Sequence, residues 1–263
     1  MTVAEALRAT EARLTEAGVD SPLVDAELLL AHVLGTSRSA VYADRERDVP
    51  GALEELVRRR ARREPLAYVL GQWGFRRLTL KTDARALVPR PETEMVVERC
   101  LALLRGEPQP RVLDLGTGTG AIALAIADEH PGARVTAVDA SSDAAALARE
   151  NADRLGLHAL VRVGGIETAS EGWDLLVSNP PYVAASDWSS LQPEIREWEP
   201  RSALVGAGLH EEIAKHARTR HLVFEVGDGV AGEVASMLRS LGYEHVAVTP
   251  DLAGRERVVE GSR

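Results

Sequence analysis

Apolar residues recur at helical spacing through residues 1–70, the first part of the chain. Thr2 with Glu5 forms a capping-box pattern, and Ser21 before Pro22 marks a second helix start. A third helix is expected further along, and it would carry a run of arginines. The pattern therefore predicts a small helical bundle, in which we find no catalytic constellation.

Short apolar runs alternate with helical segments from residue 111 onward. Helices are expected at residues 121–128 and 142–155, between the first three runs. The predicted strands cover residues 112–115, 134–139, 160–163, 173–178, 222–226, 243–248 and 257–259. This alternation is typical of an α/β fold, here a Rossmann-like, doubly wound and mostly parallel sheet of seven strands.

The stretch between these two parts follows neither pattern. Glycines near residue 71 break the helical spacing, and residues 78–81 and 86–88 alternate like the two strands of a short β-hairpin. We therefore expect three parts in the chain: a helical bundle at 1–70, a β-hairpin linker at 71–90 and a sheet domain at 91–263.

The first predicted strand of the sheet domain runs into alternating glycines. We call Gly116-Thr117-Gly118-Thr119-Gly120 the glycine turn. Glycine allows a tight turn and a close approach of a ligand to the main chain, and the helix that follows offers free N–H groups. Nicotinamide, flavin and S-adenosylmethionine proteins share such turns. The Gly-x-Gly-x-Gly spacing differs from the pyrophosphate-binding pattern and favours a nucleoside ligand without a pyrophosphate.

Asp139 ends the second predicted strand, about 20 residues after the glycine turn, where an acidic side chain accepts hydrogen bonds from ribose hydroxyls in related folds. The same aspartate precedes Ala140-Ser141-Ser142 and could instead cap the next helix. The distance from the glycine turn favours the ribose role.

Asn179-Pro180-Pro181-Tyr182 follows the apolar run 173–178, and we call it the acceptor turn. Its prolines fix two φ angles and remove two backbone donors, so it offers an amide side chain, free carbonyls and an aromatic ring. Such a turn can accept hydrogen bonds from a planar NH₂ group. These four residues alone are equally compatible with an ordinary rigid loop. Together with the glycine turn and Asp139 at neighbouring strand ends, they predict one shared crevice.

Composition and charge narrow the class of protein. A chain of 263 residues with 45% hydrophobic and 27% charged residues is expected to be globular. The single cysteine, Cys100, lies on an apolar helix face and indicates a core position in a reducing cytoplasm. The start of the chain lacks the basic and apolar segments of a leader, and no run is long enough to span a membrane. We expect a cytoplasmic monomer.

A net charge of −9 argues against strong non-specific binding to nucleic acid. Residues 58–63 form the one dense basic run, which is either a solvated helix face or a docking site for a partner. The histidines lack the spacing of metal ligands, so we predict no metal.

The ordered motifs resemble the class I S-adenosylmethionine-dependent methyltransferases that act on planar NH₂ nitrogens. More narrowly, the sequence is similar to the release factor glutamine methyltransferases, the PrmC/HemK family, over nearly the whole chain. The stretches that carry this resemblance are Ser21-Pro22 with Asp25-Ala26-Glu27, Pro89-Arg90-Pro91-Glu92-Thr93-Glu94, Asp114 with the glycine turn, Val177-Ser178 with the acceptor turn, Glu199-Pro200 with Ala203-Leu204, and Asp251-Leu252-Ala253-Gly254-Arg255.

The resemblance implies methyl transfer from S-adenosylmethionine to the glutamine side-chain amide in the Gly-Gly-Gln motif of peptide chain release factors, with S-adenosylhomocysteine as product. Asn179, Pro180 and Tyr182 would be catalytic, and Pro181 would complete the substrate site. The glycine turn, Asp139, Ile166 and Asn179 would hold the cofactor. The helical bundle, with its arginine run, would grip the release factor.

Two stretches depart from the family pattern. Gly164-Gly165-Ile166 stands where the family has an Asp-Trp pair against the adenine, so Ile166 is expected to replace the aromatic contact. Residues 205–209 are shorter than the corresponding Gly-x-Asp-Gly-Leu stretch and lack its aspartate.

Two other functions remain open. An adenine-N6 methyltransferase on DNA or RNA would present the same NH₂ geometry after flipping the base out of the stack. A protein that binds S-adenosylmethionine without catalysis would use the helical bundle as an interaction module. The net charge and the lack of a separate basic target-reading domain weigh against the first. An intact acceptor turn weighs against the second.

Overall fold

The computed structural model describes residues 1–43, 45–206 and 208–263. The α-helices, in chain order, are α1 (Val3–Glu16), α2 (Pro22–Leu34), α3 (Ala52–Ala61), α4 (Leu66–Leu70), α5 (Thr93–Leu103), α6 (Ala121–Glu129), α7 (Ser142–Leu155), α8 (Pro193–Trp198), α9 (Leu209–His216) and α10 (Ala231–Ser240). Single 3₁₀ turns lie at Ser39–Tyr42, Ile166–Glu171, Ala185–Ser190 and Arg201–Ala203.

The strands, in chain order, are β1 (Gln72–Phe75), β2 (Leu78–Lys81), β3 (Arg111–Leu115), β4 (Arg134–Asp139), β5 (Ala159–Val163), β6 (Trp173–Ser178), β7 (Thr219–Glu225), β8 (Glu244–Pro250) and β9 (Glu256–Ser262). Within the described residues, no helix has the length and apolar character needed to cross a membrane.

The predicted start signals of the first two helices differ in their outcome. At α1 the capping box is confirmed, because Glu5 N donates to Thr2 Oγ1 and Thr2 N donates back to Glu5 Oε2. At α2, Ser21 holds the N-cap position without a side-chain cap bond, and Pro22 opens the helix. The proline, which needs no backbone donor there, is the effective signal at this site.

The chain forms two compact units. The helical unit comprises Met1–Gln72 together with Gln192–Trp198, and the sheet unit comprises Trp73–Leu191 and Glu199–Arg263. Helix α8 thus belongs to the helical unit, although it follows the acceptor turn in sequence. Glu194 on α8 binds Arg60 at 2.8 Å and Arg63 at 2.6 Å, which fastens the segment to α3 and its C-terminal end.

Several arginines of the basic run are used inside the helical unit. Arg60 is buried and binds Asp25 at 2.6 Å as well as Glu194. Arg59 pairs with Glu64, and Arg58 pairs with Glu55 one helical turn away. The interpretation of the run as a solvated face is therefore wrong for Arg60, because its side chain is buried inside the helical unit.

The predicted hairpin is half right. Strand β2 lies where residues 78–81 were expected, but it pairs with β1 and not with residues 86–88, which form no strand. Glycines at 71 and 74 interrupt the alternating pattern, so the sequence did not predict strand β1. Ala86 is instead buried against Ala144 and Leu147 of α7, so the apolar residues after β2 pack on a helix.

The large sheet has the strand order β5-β4-β3-β6-β7-β9-β8. The neighbouring strands β5, β4, β3, β6 and β7 run parallel to one another. Strand β9 pairs antiparallel with both β7 and β8. The predicted seven-stranded, mostly parallel sheet is confirmed. The chain leaves β3 for β4 on one side and later returns to β6 on the other, so the order reverses beside β3. Open α/β sheets bind ligands at such a switch point.

Helices cover both faces of this sheet, which explains the continuous apolar runs of its strands. Val112 and Val177 belong to the core on one face, together with α5 and α6. Leu113, Leu176 and Phe224 belong to the core on the other face, together with α9 and α10. Cys100, on α5, is fully buried in the first core, as predicted.

Candidate active site

The ends of β3, β4 and β6 are aligned at one edge of the sheet. Leu115 at the end of β3 is in register with Val138 of β4 and with Ser178 of β6. Ser178 Oγ donates to Leu115 O at 2.6 Å and ties the last residues of β3 and β6 together. The structure therefore brings the glycine turn, Asp139 and the acceptor turn to the same edge.

The glycine turn owes its shape to left-handed backbone angles. Gly116, Gly118 and Gly120 have φ values of 79°, 58° and 85°, a region that favours glycine. A Cβ added to Gly116 would lie 4.0 Å from the backbone oxygen of Asn179 and would meet nothing nearer. The glycine turn therefore lies directly beside the acceptor turn at the edge of the sheet.

Two hydrogen bonds from side chains stabilise the glycine turn. Thr117 Oγ1 donates to Asp114 Oδ2 at 2.6 Å, and Asn151 on α7 donates to the carbonyl of Thr119 at 3.0 Å. Both threonine side chains are buried. Thr117 and Asn151 therefore support the main chain of the turn, and the backbone of the turn is the candidate for contact with a cofactor.

Asp139 bridges the glycine turn and the start of α7. One carboxylate oxygen accepts from Gly118 N at 2.9 Å, and the other accepts from Ser141 N at 2.9 Å. The N-cap of α7 is Ser141, whose Oγ accepts from Ala144 N. Ser141 therefore caps the helix through its side chain. Each carboxylate oxygen of Asp139 still has a lone pair that can accept a hydrogen bond from a further donor.

Ile166 begins the 3₁₀ turn after β5 and packs, half-buried, against the second core. Gly164 N donates to the carbonyl of Asp139 at 3.0 Å, which brings the segment to the end of β4. A Cβ on Gly164 would come within 3.3 Å of Val138 Cγ1, so a larger residue fits there poorly. The short stretch that replaces the family's Asp-Trp pair is therefore packed beside the proposed ribose-binding aspartate.

The shortened stretch 205–209 lies against the acceptor turn. Val183 N donates to Leu204 O at 2.9 Å, and a Cβ on Gly206 would come within 2.8 Å of the Pro181 carbonyl oxygen. Ala207 lies outside the described residues. Gly206 is thus fitted to the back of the acceptor turn, a constraint that the sequence pattern did not indicate.

The side chains of the acceptor turn rest on the end of β7. Ser178 is paired with Phe224, so Asn179 and Glu225, the last residue of β7, lie side by side at the strand ends. Thr93 Oγ1 donates to Glu225 Oε2 at 2.6 Å. Burial raises the pKa of Glu225 to about 7, and the hydrogen bond from Thr93 acts in the opposite direction.

Glu225 and Thr93 were not predicted as site residues. The available signal for Glu225 was an acidic residue within the apolar run 222–226, since a carboxyl group is rarely buried without a partner. Thr93 belongs to the Pro-Arg-Pro-Glu-Thr-Glu stretch that supported the family resemblance. Arg90 from the same stretch pairs with the buried Glu199, so two of the family motifs meet in the structure.

Tyr182 lies with its ring on Gly227. A Cβ on this glycine would come within 2.9 Å of Tyr182 Cδ2 and 3.1 Å of Cε2. Burial, with a smaller contribution from the charge of Glu225, raises the pKa of the Tyr182 phenol to about 12. The phenol therefore keeps its proton at neutral pH.

Gly227→Ala should displace the Tyr182 ring and slow the reaction. We expect kcat to fall roughly tenfold, because misplacement of a reactant by a fraction of an ångström removes much of the benefit of positioning. The affinity for S-adenosylmethionine should stay within about twofold, since the three atoms nearest the added Cβ all belong to Tyr182. Steady-state kinetics with calorimetric binding measures both. Gly229→Ala, where a Cβ would meet nothing within 4 Å but φ is 80°, controls for general strain in the loop.

Asp114 is a further buried carboxyl group at the glycine turn. Its Oδ2 accepts from Thr117 Oγ1 and from Ala123 N at 3.1 Å, whereas Oδ1 is buried without a partner among the described residues. Burial raises its pKa to about 7. The folded state thus holds the proton more tightly than the unfolded chain does.

The pH dependence of stability should report this proton. The stabilisation from Asp114 is fully present below about pH 4 and is lost as the pH rises through about 7. Asp114→Asn removes this stabilisation. The difference in free energy of unfolding between wild type and the variant should therefore decrease by up to about 4 kcal/mol from pH 4 to pH 8. Urea unfolding across that range measures the difference. Glu225 titrates in both proteins and cancels; parallel pH curves would contradict the assignment.

Comparison with known proteins agrees with this architecture. A model of the PrmC N-terminal domain matches residues 5–71, and a model of the methyltransferase small domain matches residues 94–194. Among solved structures, a T. thermophilus 16S rRNA methyltransferase in complex with AdoMet and guanosine gives a TM-score of 0.53 at 17% identity, covering 73% of this chain and 49% of that one. A methyltransferase from Pyrococcus furiosus gives 0.51 at 16% identity, covering 70% and 87%. At these identities the likeness concerns the fold alone.

The curated relatives are nearer in sequence. The release factor glutamine methyltransferase of Vibrio cholerae is 41% identical, with 99% of this chain and 96% of the relative covered. The release factor glutamine methyltransferase of Deinococcus radiodurans is 42% identical, with 100% of this chain and 99% of the relative covered. Both units of the chain take part in these matches, and the glycine and acceptor turns lie within the matched length. The chain belongs to the release factor glutamine methyltransferase family.

Proposed function

We propose that this protein transfers the methyl group of S-adenosylmethionine to the side-chain amide nitrogen of the glutamine in the Gly-Gly-Gln motif of peptide chain release factors, and releases S-adenosylhomocysteine. The observation that carries the proposal is the meeting of the glycine turn, Asp139 and the acceptor turn at one edge of the sheet, in a chain of this family.

The residues at the sheet edge fit the cofactor. The main chain of the glycine turn would lie against the ligand, the free lone pairs of Asp139 would accept from the ribose hydroxyls, and Ile166 would contact the adenine. When bound, S-adenosylmethionine supplies an electrophilic methyl group on its sulfonium. Asn179 adjoins this cofactor site as well as the acceptor site, so it belongs to both.

The acceptor turn would hold the glutamine amide. Asn179 Oδ1 and the Pro180 carbonyl accept its two hydrogens, and the Tyr182 ring sets the plane of the amide, with Pro181 keeping the turn stiff. An amide nitrogen is a weak nucleophile because its lone pair is delocalised. Holding it in line with the methyl group can supply roughly 7–11 kcal/mol of the barrier.

A dedicated base is not needed at this site. The nitrogen loses one proton to water after methylation, because an N-protonated amide is a very strong acid. Tyr182 keeps its proton, since its pKa is about 12. His210 Nε2 is within 2.9 Å of the Glu225 carbonyl oxygen, so its proton is held by the main chain. These groups therefore orient rather than exchange protons.

The function is tested by tritiated methyl transfer to three acceptors. Purified release factor should be labelled, whereas a release factor with its Gly-Gly-Gln glutamine replaced by alanine, and DNA, should not. Label in DNA would support the adenine methyltransferase. Binding of S-adenosylmethionine without transfer to any acceptor would support the non-catalytic alternative.

Asp139→Ala should weaken the affinity for S-adenosylmethionine by about tenfold to a hundredfold, because each lost hydrogen bond to a charged group is worth roughly 1.5–3 kcal/mol. Calorimetric titration measures this affinity. Asp143→Ala, an exposed acidic residue in the first turn of α7, is the matched control and should leave the affinity unchanged. Equal affinities for wild type and Asp139→Ala would remove Asp139 from the cofactor site.

The partner proposal extends to the helical unit, which contains the bundle predicted at residues 1–70. We assign release factor recognition to it and take the protein to act as a cytoplasmic monomer without direct contact to nucleic acid. Arg58 and Arg62 are the exposed members of the basic run and are the candidates for such a contact. Sedimentation of the protein with and without release factor tests the stoichiometry.

A further inference from the structure

A single arginine holds the segment that follows β7. Arg257, near the start of β9, is 9% exposed, and its guanidinium reaches three groups. Nη2 lies 2.8 Å from Asp228 Oδ1, Nη1 donates to the Val226 carbonyl at 3.4 Å, and Nε lies 3.4 Å from Asp251 Oδ2. The main chain adds a fourth contact, because Val226 N donates to Arg257 O at 2.9 Å. Residues 226–228 are therefore bound to β9 at both ends.

Gly227 lies between these two ends and carries the ring of Tyr182. The glycine is buried, and a Cβ added to it would come within 2.9 Å of Tyr182 Cδ2. The ring thus rests on the main chain of residue 227, and its position depends on where that main chain is held. Because glycine has more backbone freedom than other residues, the restraint must come from its neighbours.

Arg257 is itself held from the turn between β8 and β9. Asp251 directly follows β8, and its side chain is 8% exposed. Its Oδ1 accepts from Ala253 N at 2.8 Å and from Arg255 N at 2.9 Å, which leaves Oδ2 for the guanidinium. The carboxylate of Asp251 therefore ties the arginine to a turn that is already closed by hydrogen bonds.

We propose that Arg257 is a positioning residue for methyl transfer, which fixes residues 226–228 so that the Tyr182 ring keeps the plane that the substrate NH₂ group requires. The inference rests on the proposed function and adds a residue of β9 to its acceptor site. Strands β3, β6, β7 and β9 are neighbours in that order, so β9 lies about 14 Å from β3 and its glycine turn. We therefore expect Arg257 to act on the acceptor side and not on the cofactor.

A double-mutant cycle between residues 257 and 182 tests the inference. Arg257→Met removes the guanidinium and keeps a long apolar side chain. In the wild-type background it should lower the single-turnover rate of methyl transfer at saturating cofactor about tenfold, because a small displacement of a reactant removes much of the benefit of positioning. In the Tyr182→Ala background the ring is already absent, so the same substitution should change the rate by less than about twofold.

The dependence on Tyr182 separates positioning from a general effect on the fold. A merely structural Arg257 would give the same loss of rate in both backgrounds, and that result would overturn the inference. Calorimetric titration should give an affinity for S-adenosylmethionine within about threefold of wild type for Arg257→Met. A larger loss of affinity would also overturn the inference, because it would place the effect at the cofactor.

Asp228→Ala provides a second measurement that leaves the buried arginine in place. The Asp228 side chain is 66% exposed, so the variant should fold normally and lower the single-turnover rate about threefold through the lost ion pair with Arg257. This loss should also disappear in the Tyr182→Ala background. Glu233→Ala, which removes an exposed carboxylate from the first turn of α10, is the matched control and should leave the rate unchanged. Equal rates for Asp228→Ala and the control would contradict the inference.

The proposed function and the role of Arg257 fail in different ways. A wild-type enzyme that labels no release factor would refute the proposed function. An active wild type in which Arg257→Met lowers the rate equally with and without the Tyr182 ring would refute only the positioning role.

Discussion

Asn179→Ala is expected to lower kcat for release factor methylation by about a hundredfold to a thousandfold, the range found when one preorganised hydrogen-bonding group is removed from an active site. The substitution removes the proposed acceptor oxygen for one hydrogen of the substrate amide. Because the oxygen is needed most when the nitrogen is aligned with the methyl group, the affinity for S-adenosylmethionine should stay within about tenfold. Single-turnover methyl transfer and calorimetric titration measure the two quantities.

The other asparagine of the chain provides a contrast. Asn151 on α7 is fully buried, accepts from Lys81 N at 2.7 Å and donates to Thr119 in the glycine turn. Asn151→Ala should therefore reduce the free energy of unfolding by roughly 1–3 kcal/mol and weaken cofactor binding, with a smaller effect on single-turnover transfer at saturating cofactor. Full activity of Asn179→Ala would remove Asn179 from the catalytic assignment.

Local patterns predicted the parts of the site that follow directly from strands. The glycine turn and the acceptor turn each come after a short apolar run, and parallel strands place their carboxyl ends at one edge. Their common location therefore follows from the order of the strands along the sequence. The roles of Asp139 and Ile166 at the cofactor remain predictions.

The supporting groups depend on contacts that sequence spacing does not reveal. Thr93 and Glu225 are separated by 132 positions and meet only because α5 packs beside the end of β7. The misassigned hairpin has a different reason, since the alternation at residues 86–88 also suits a segment packed on a helix. Helix α8 joins the helical unit through Glu194, whose two arginine partners lie more than 130 positions away.

Arg60→Met should unfold the helical unit more easily, with a loss of about 3–5 kcal/mol, because it leaves the buried Asp25 carboxylate without its cation, whereas Glu194 keeps Arg63. The Arg60 guanidinium lies at 2.6 Å from Asp25 and 2.8 Å from Glu194, and its side chain is 7% exposed. Burial already raises the pKa of Asp25, and the hydrogen bond from Arg60 opposes that rise. The long apolar side chain of methionine keeps most of the packing contacts. The loss in free energy of unfolding is therefore attributed to the missing positive charge.

The expected result is an early transition of the helical unit in urea unfolding, followed by circular dichroism, with the sheet unit unchanged. Arg58→Met is the matched control, because its pair with Glu55 is exposed and such pairs contribute about 0–1 kcal/mol. Equal midpoints for the two variants would contradict the structural role of Arg60.

Arg60 is unsuitable for a test of partner binding. A raised KM for release factor in Arg60→Met would follow from the loss of folding. The proposed contact with the release factor is tested by charge reversal at the exposed Arg58 and Arg62.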